Sequence, residues 1–339
     1  MIINSYIITY IVCSLVSLLL GLTAVVNGIF ALIKWDSTKN ADDQYRLEKR
    51  IYFVITALCL SFFMRIFMVF LWFFALNSMI ISIPGAMCLV GVHNVSVPLS
   101  YIATAMKLVL PSLYGYWLVL NYLDRQISSQ PFLKQKLFFI APLGILMITE
   151  AALDMCFFFS APPRQVSCCT SLFDIPGKDV VHIMSGSSWI WVTLFYILSL
   201  LFISQVIFFF FFQKKSSAHE KKWFGNKYLL IASTGLISLV TGAFIFALQT
   251  KISPLFLGLP FHHCIFCLLQ EETDALISFL FIFLGLNLAS IYFWTISSSR
   301  YREVNDILSK HVMMLLKWSI ILFVGGLLIL SVRLVISIV

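Results

Sequence analysis

The chain has 339 residues, of which 60% are hydrophobic, 16% aromatic and only 11% charged. Soluble domains carry about 25% charged residues, so this composition excludes a soluble globular enzyme, a disordered chain and a secreted disulfide scaffold. The formal net charge of +8 does not by itself point to nucleic acid, because in so apolar a chain the position of each charge decides its meaning.

In chain order, apolar runs separated by Lys/Arg clusters predict spans at about 5–33, 51–82, 99–122, 137–159, 188–212, 228–249, 275–297 and 313–337. Each is long enough to cross a hydrocarbon layer of about 30 Å at 1.5 Å per helical residue. No Lys or Arg precedes the first run, so it is expected to remain as a helix and not to be removed as a signal peptide. The expected architecture is all-α: a polytopic integral membrane helical bundle of about eight transmembrane helices, forming a single transmembrane domain over 1–339.

The basic residues alternate by loop. Segments 34–50, 123–136, 213–227 and 298–312 hold 5, 3, 5 and 3 of them, including Lys34, Arg46, Lys49, Arg50, Lys214, Lys215, Lys221, Lys222, Arg300 and Arg302. The intervening loops hold only Arg164, Lys178 and Lys251. By the positive-inside rule the basic loops are assigned to the cytoplasm, which puts both termini on the extracytoplasmic side. A bacterial-type cytoplasmic (inner) membrane is the expected location. The lipid bilayer is then the main partner and nucleic acid is not one.

The same sidedness sorts the cysteines. Cys13, Cys59 and Cys156 fall within spans, whereas Cys88, Cys168, Cys169, Cys264 and Cys267 all fall in the outer loops. Structural disulfides are one reading, but five is an odd number and the adjacent Cys168 and Cys169 are strained partners for one another. A soft-metal site is the second. Thiolate and imidazole suit copper or zinc, a C-x-x-C turn aims two sulfurs at one ion, and His262-His263 stand directly before Cys264. The expected metal set is Cys88, Cys168, Cys169, His262, His263, Cys264 and Cys267, with Met87 as an added soft donor. The third reading is thiol–disulfide exchange through Cys264, Cys267, Cys168 and Cys169, with electrons passing to a quinone. Cys264 and Cys267 with the loop cysteines loosely resemble membrane disulfide-forming enzymes of the vitamin K epoxide reductase group. In that group loop cysteines feed a C-x-x-C at a membrane helix, but it has four or five spans.

Four charged residues lie well inside spans, away from their ends: Arg65, Lys107, Glu150 and Asp154. An intramembrane charge costs roughly 2.5–3.5 kcal/mol on insertion scales and therefore faces the bundle interior with a partner. Glu150 and Asp154, four apart, share a helix face. Either an internal ion-pair network or a polar path for a proton or metal ion is expected. Lys317 and Arg333, near the ends of the last span, are expected to snorkel to the interfaces. No phosphate-binding loop or H-E-x-x-H occurs, so ATP hydrolysis, if the process uses it, belongs to a separate ATPase or complex subunit. An extracytoplasmic metal or thiol carrier protein is the other expected partner. A receptor or a structural subunit with disulfide-stapled loops is the reading from another class, though an eighth span and an outside C-terminus do not suit a heptahelical receptor.

Overall fold

A computed structural model describes residues 4–34, 41–127, 130, 132–160, 165–166, 188–215, 227–259, 262–298 and 305–338. Among these residues the structure is helical and contains no strand. Eight helices are long and apolar enough to cross a membrane, at Ser5–Ala31, Tyr45–Ser82, Leu89–Arg125, Leu133–Phe159, Trp189–Phe211, Leu230–Phe256, Thr273–Ser297 and Val312–Ile338. The chain is thus a multi-pass membrane protein.

It forms two compact units, one of Met1–Ala86 with Gly91–Val166, the other of Met87–Val90 with Ser167–Val339. In the first unit α1 (Ser5–Lys34), α2 (Ala41–Met79), α4 (Val97–Arg125) and α5 (Leu133–Ser160) close a ring. Each packs on the next, and α5 returns to α1. The short α3 (Leu89–His93) lies between α2 and α4 in the chain. The second unit repeats the scheme with α6 (Ser188–Lys215), α7 (Lys227–Ala247), α10 (Thr273–Ser298) and α11 (Asn305–Ile338). Between α7 and α10 come a π-helical turn (Leu248–Ile252) and the short helices α8 (Ser253–Phe256) and α9 (Ile265–Glu271).

The residues that face inward show why these helices pair. In α1 the buried positions include Ile7, Tyr10, Ser14, Ser17, Gly21, Ala24, Gly28 and Ala31, a seven-residue repeat in which small and polar side chains predominate. The exposed positions are large and apolar, among them Leu15, Leu19, Leu22 and Val26. Lipid is as apolar as leucine, so burying leucine between helices gains little, while small residues let the backbones approach and gain dispersion contacts. In the second unit the same logic appears at Gly285 and Gly326. A Cβ on either would lie 2.9 Å from a backbone carbonyl of the facing helix, Ser319 O or Ser278 O respectively. Ser319 Oγ donates to Gly285 O across that seam (2.7 Å).

Two helices run past their apolar limits. α2 begins at Ala41 and α11 at Asn305, about two to three turns before the predicted spans, because Glu, Lys, Arg and Gln continue a helix as readily as they end a membrane segment. The sixth span likewise extends to Phe256 instead of ending near 249, with Lys251 inside the π turn and over the Trp189 ring at 4.9 Å.

Candidate functional site

Cys88, Cys264 and Cys267 come together in the second unit, their sulfurs all within 4.8 Å of one another. Cys88 Sγ and Cys264 Sγ are 4.0 Å apart, and none of the three is in a disulfide. With metal–sulfur bonds of about 2.3 Å, three sulfurs around one ion stand about 4.0 Å apart in a trigonal plane and about 3.8 Å apart in a tetrahedron. The Cys88–Cys264 separation matches that spacing, and the three sulfurs together could hold a metal ion. Cys88 and Cys264 are each 1% exposed and Cys267 is half-buried, so Cys267 offers the open side.

Local sequence builds both halves of this group. Before Cys88 the chain makes a type II turn at Ile83–Ala86: Ala86 N donates to Ile83 O (3.1 Å), with Pro84 at the second position and Gly85 at φ +85 at the third. Pro and Gly are the residues that this turn requires. On the other segment Cys264 caps α9, its sulfur accepting from Cys267 N at 3.4 Å, and that bond folds the C-x-x-C so that both sulfurs belong to one group. Val90 and Phe266 pack beside the thiols.

Not every predicted ligand joins. His262 is buried and His263 half-buried, and neither is part of the three-sulfur group. Met87 is 73% exposed. Cys168 and Cys169 lie outside the described residues. The composition-based reading missed Gln249 and Ser253. His263 Nδ1 meets Gln249 O at 3.0 Å; a carbonyl oxygen only accepts, so Nδ1 carries a proton. Ser253 Oγ, fully buried, donates to Cys264 O (3.0 Å) and His262 O (3.3 Å). A serine before a proline reads as a loop start, and nothing in the sequence signals these bonds.

The first unit holds the second constellation. Lys107 Nζ on α4 donates to Glu150 Oε1 (2.5 Å) and to Asp154 Oδ1 and Oδ2 (3.0 and 2.8 Å) on α5. Arg65 Nη1 on α2 reaches Asp154 Oδ2 at 3.4 Å and Glu150 Oε1 at 3.8 Å, and its Nη2 donates to Ser14 Oγ on α1 at 3.3 Å. Tyr10 OH donates to Asp154 Oδ2 (2.6 Å) and Tyr114 OH to Glu150 Oε2 (3.0 Å). All four helices of the ring contribute, two cations balance two carboxylates, and every carboxylate oxygen has a donor. The four residues singled out as intramembrane charges thus form one buried ion-pair network. Tyr10, Ser14 and Tyr114 are members that the sequence did not reveal, since isolated Tyr and Ser are ordinary in membrane helices. Among the others, Arg333 pairs with Glu272 (2.8 Å) and Lys317 is exposed.

No protein-family model matches the chain, and neither a curated protein nor a solved structure is significantly similar to it. The site residues therefore rest on geometry and chemistry alone.

Proposed function

We propose that the protein is a multi-pass membrane protein that binds a soft metal ion, Cu(I) foremost, through Cys88, Cys264 and Cys267, for storage or transfer across the bilayer. The observation that carries this reading is the three-sulfur group itself, assembled from segments 176 residues apart at metal-ligand spacing. Thiolates select Cu(I) and zinc. Structural zinc sites are almost always four-coordinate, whereas three soft sulfurs suffice for Cu(I), which favours copper over zinc. The half-buried Cys267 is the ligand through which an extracytoplasmic carrier would exchange the ion, and any ATP-driven step would come from a separate subunit.

The test is anaerobic titration of the reduced, purified protein with Cu(I) in competition with a chromogenic chelator, with Zn(II) as the parallel arm. One tightly held Cu(I) per chain is expected, lost in Cys264→Ser/Cys267→Ser and in Cys88→Ser. No retention by the wild type, or equal retention by the variants, overturns the proposal. The 4.0 Å contact between Cys88 and Cys264 also suits thiol–disulfide exchange with a quinone as electron acceptor. That second reading gains if the wild type takes no metal but the reduced protein forms a Cys88–Cys264 disulfide when a soluble quinone is added.

A further inference from the structure

The end of α7 contains a break in helical bonding that leads directly to the thiols. Over Leu248–Ile252 the backbone is π-helical, and Ser253 N donates to Leu248 O, five residues back. Continuing that ladder would require residue 254 to donate to Gln249 O. Residue 254 is Pro, which has no N–H. Gln249 O is left to accept from His263 Nδ1 (3.0 Å). One residue before the proline, Ser253 Oγ spans the carbonyls of His262 and Cys264 (3.3 and 3.0 Å). The segment 262–264 is therefore held to the end of α7 through both side chain and backbone, immediately before the sulfur that meets Cys88. Single π turns inside α-helices recur at functional sites, and here the turn has a specific geometric effect.

We infer that Ser253 and His263 are positioning residues for the thiol group, and that the π turn ending at Pro254 is the frame that brings Cys264 to Cys88. This inference rests on the reading of the three cysteines as one site. Neither residue touches the metal in this scheme; each fixes the backbone from which Cys264 projects, as outer partners fix metal ligands elsewhere. Replacing Pro254 by a residue with an N–H gives Gln249 O a competing helical donor, and removing the Ser253 hydroxyl takes away the one proton that the His262 and Cys264 carbonyls share, Cys264 O keeping Leu268 N (3.1 Å).

The experiment uses the full-length, reduced protein with Cys168, Cys169 and Cys267 changed to serine, and dibromobimane, which fluoresces when it bridges two nearby thiols. Ser253→Ala and Pro254→Ala are expected to slow bridging of Cys88 to Cys264 about tenfold, the factor set by one lost hydrogen bond to a buried group. Ser253→Thr, which keeps the hydroxyl, is expected to restore it. His263→Ala, which leaves the buried helix end untouched, is expected to slow it as well, so the idea does not depend on one variant that fails to fold. In the otherwise wild-type chain the same substitutions should weaken Cu(I) retention against the chelator by a similar factor. Bridging at the parental rate in Ser253→Ala and His263→Ala overturns the positioning role. Failure of the wild type to take Cu(I) instead overturns the metal reading, and the bridging rates still judge the frame.

Discussion

At the residue scale the buried charges of the first unit set the clearest energetic demand. Lys107 is fully buried between Glu150 and Asp154, with its Nζ also 5.3 Å from the Trp72 ring centre and 5.7 Å from that of Tyr10. Removing one partner of a buried ion pair leaves an uncompensated charge and costs about 3–5 kcal/mol. Lys107→Met leaves the two carboxylates with Arg65 as the one cation of the network, so a fall in thermal stability of that order in detergent is expected. Lys107→Met/Glu150→Met removes one charge of each sign and should recover a large part of the loss, because Asp154 keeps Arg65 and Tyr10 as partners. A double variant as unstable as the single one would show that packing, not charge balance, sets the cost. The four charged members were legible in the sequence because a charge within an apolar run has to find a partner. Their tyrosine and serine partners were not, since a hydroxyl inserts cheaply and marks no position.

At the element scale the seams between helices decide which glycines matter. Gly326 lies where a Cβ would meet Ser278 O at 2.9 Å and Ile282 Cγ1 at 2.8 Å. Ile282 has rotamers to move through, but the carbonyl belongs to a helix and cannot shift alone. Gly326→Val should therefore push α11 off α10 and cost about 1–3 kcal/mol, the usual range for overpacking, read as a lower melting temperature in detergent. Gly235 on α7 is the control, with nothing within 4 Å of its would-be Cβ. Gly235→Ala is expected to be neutral or stabilising by about 0.5–1 kcal/mol, because alanine restricts the chain less unfavourably than glycine in a helix. The spans themselves were readable from hydropathy. The ends of α2, α7 and α11 were not readable, because polar helix formers and a π turn both carry helix beyond the apolar run.

At the scale of the whole molecule, the alternation of basic loops makes a prediction about sides. If each of the eight candidate spans crosses once, both termini lie on one side, and the segments bearing Cys88 and Cys264–Cys267 alternate with the Lys/Arg-rich ones along the chain. If the positive-inside rule orients the chain, the thiol group and both termini face away from the cytoplasm. A chain in which Cys267 is the only cysteine should then react in intact cells with a membrane-impermeant maleimide, and tags at either terminus should be open to protease from outside. Cys267 is the right probe because it is half-buried, whereas Cys88 and Cys264 are each 1% exposed. Its labelling will be slow, so the ratio of labelling before and after permeabilisation is the quantity to measure. A ratio near one in intact cells, with both tags cut, fits the outward arrangement. Labelling and cleavage only after permeabilisation would invert the topology, and an ion held by the thiols would then come from the cytosol and not from an extracytoplasmic carrier.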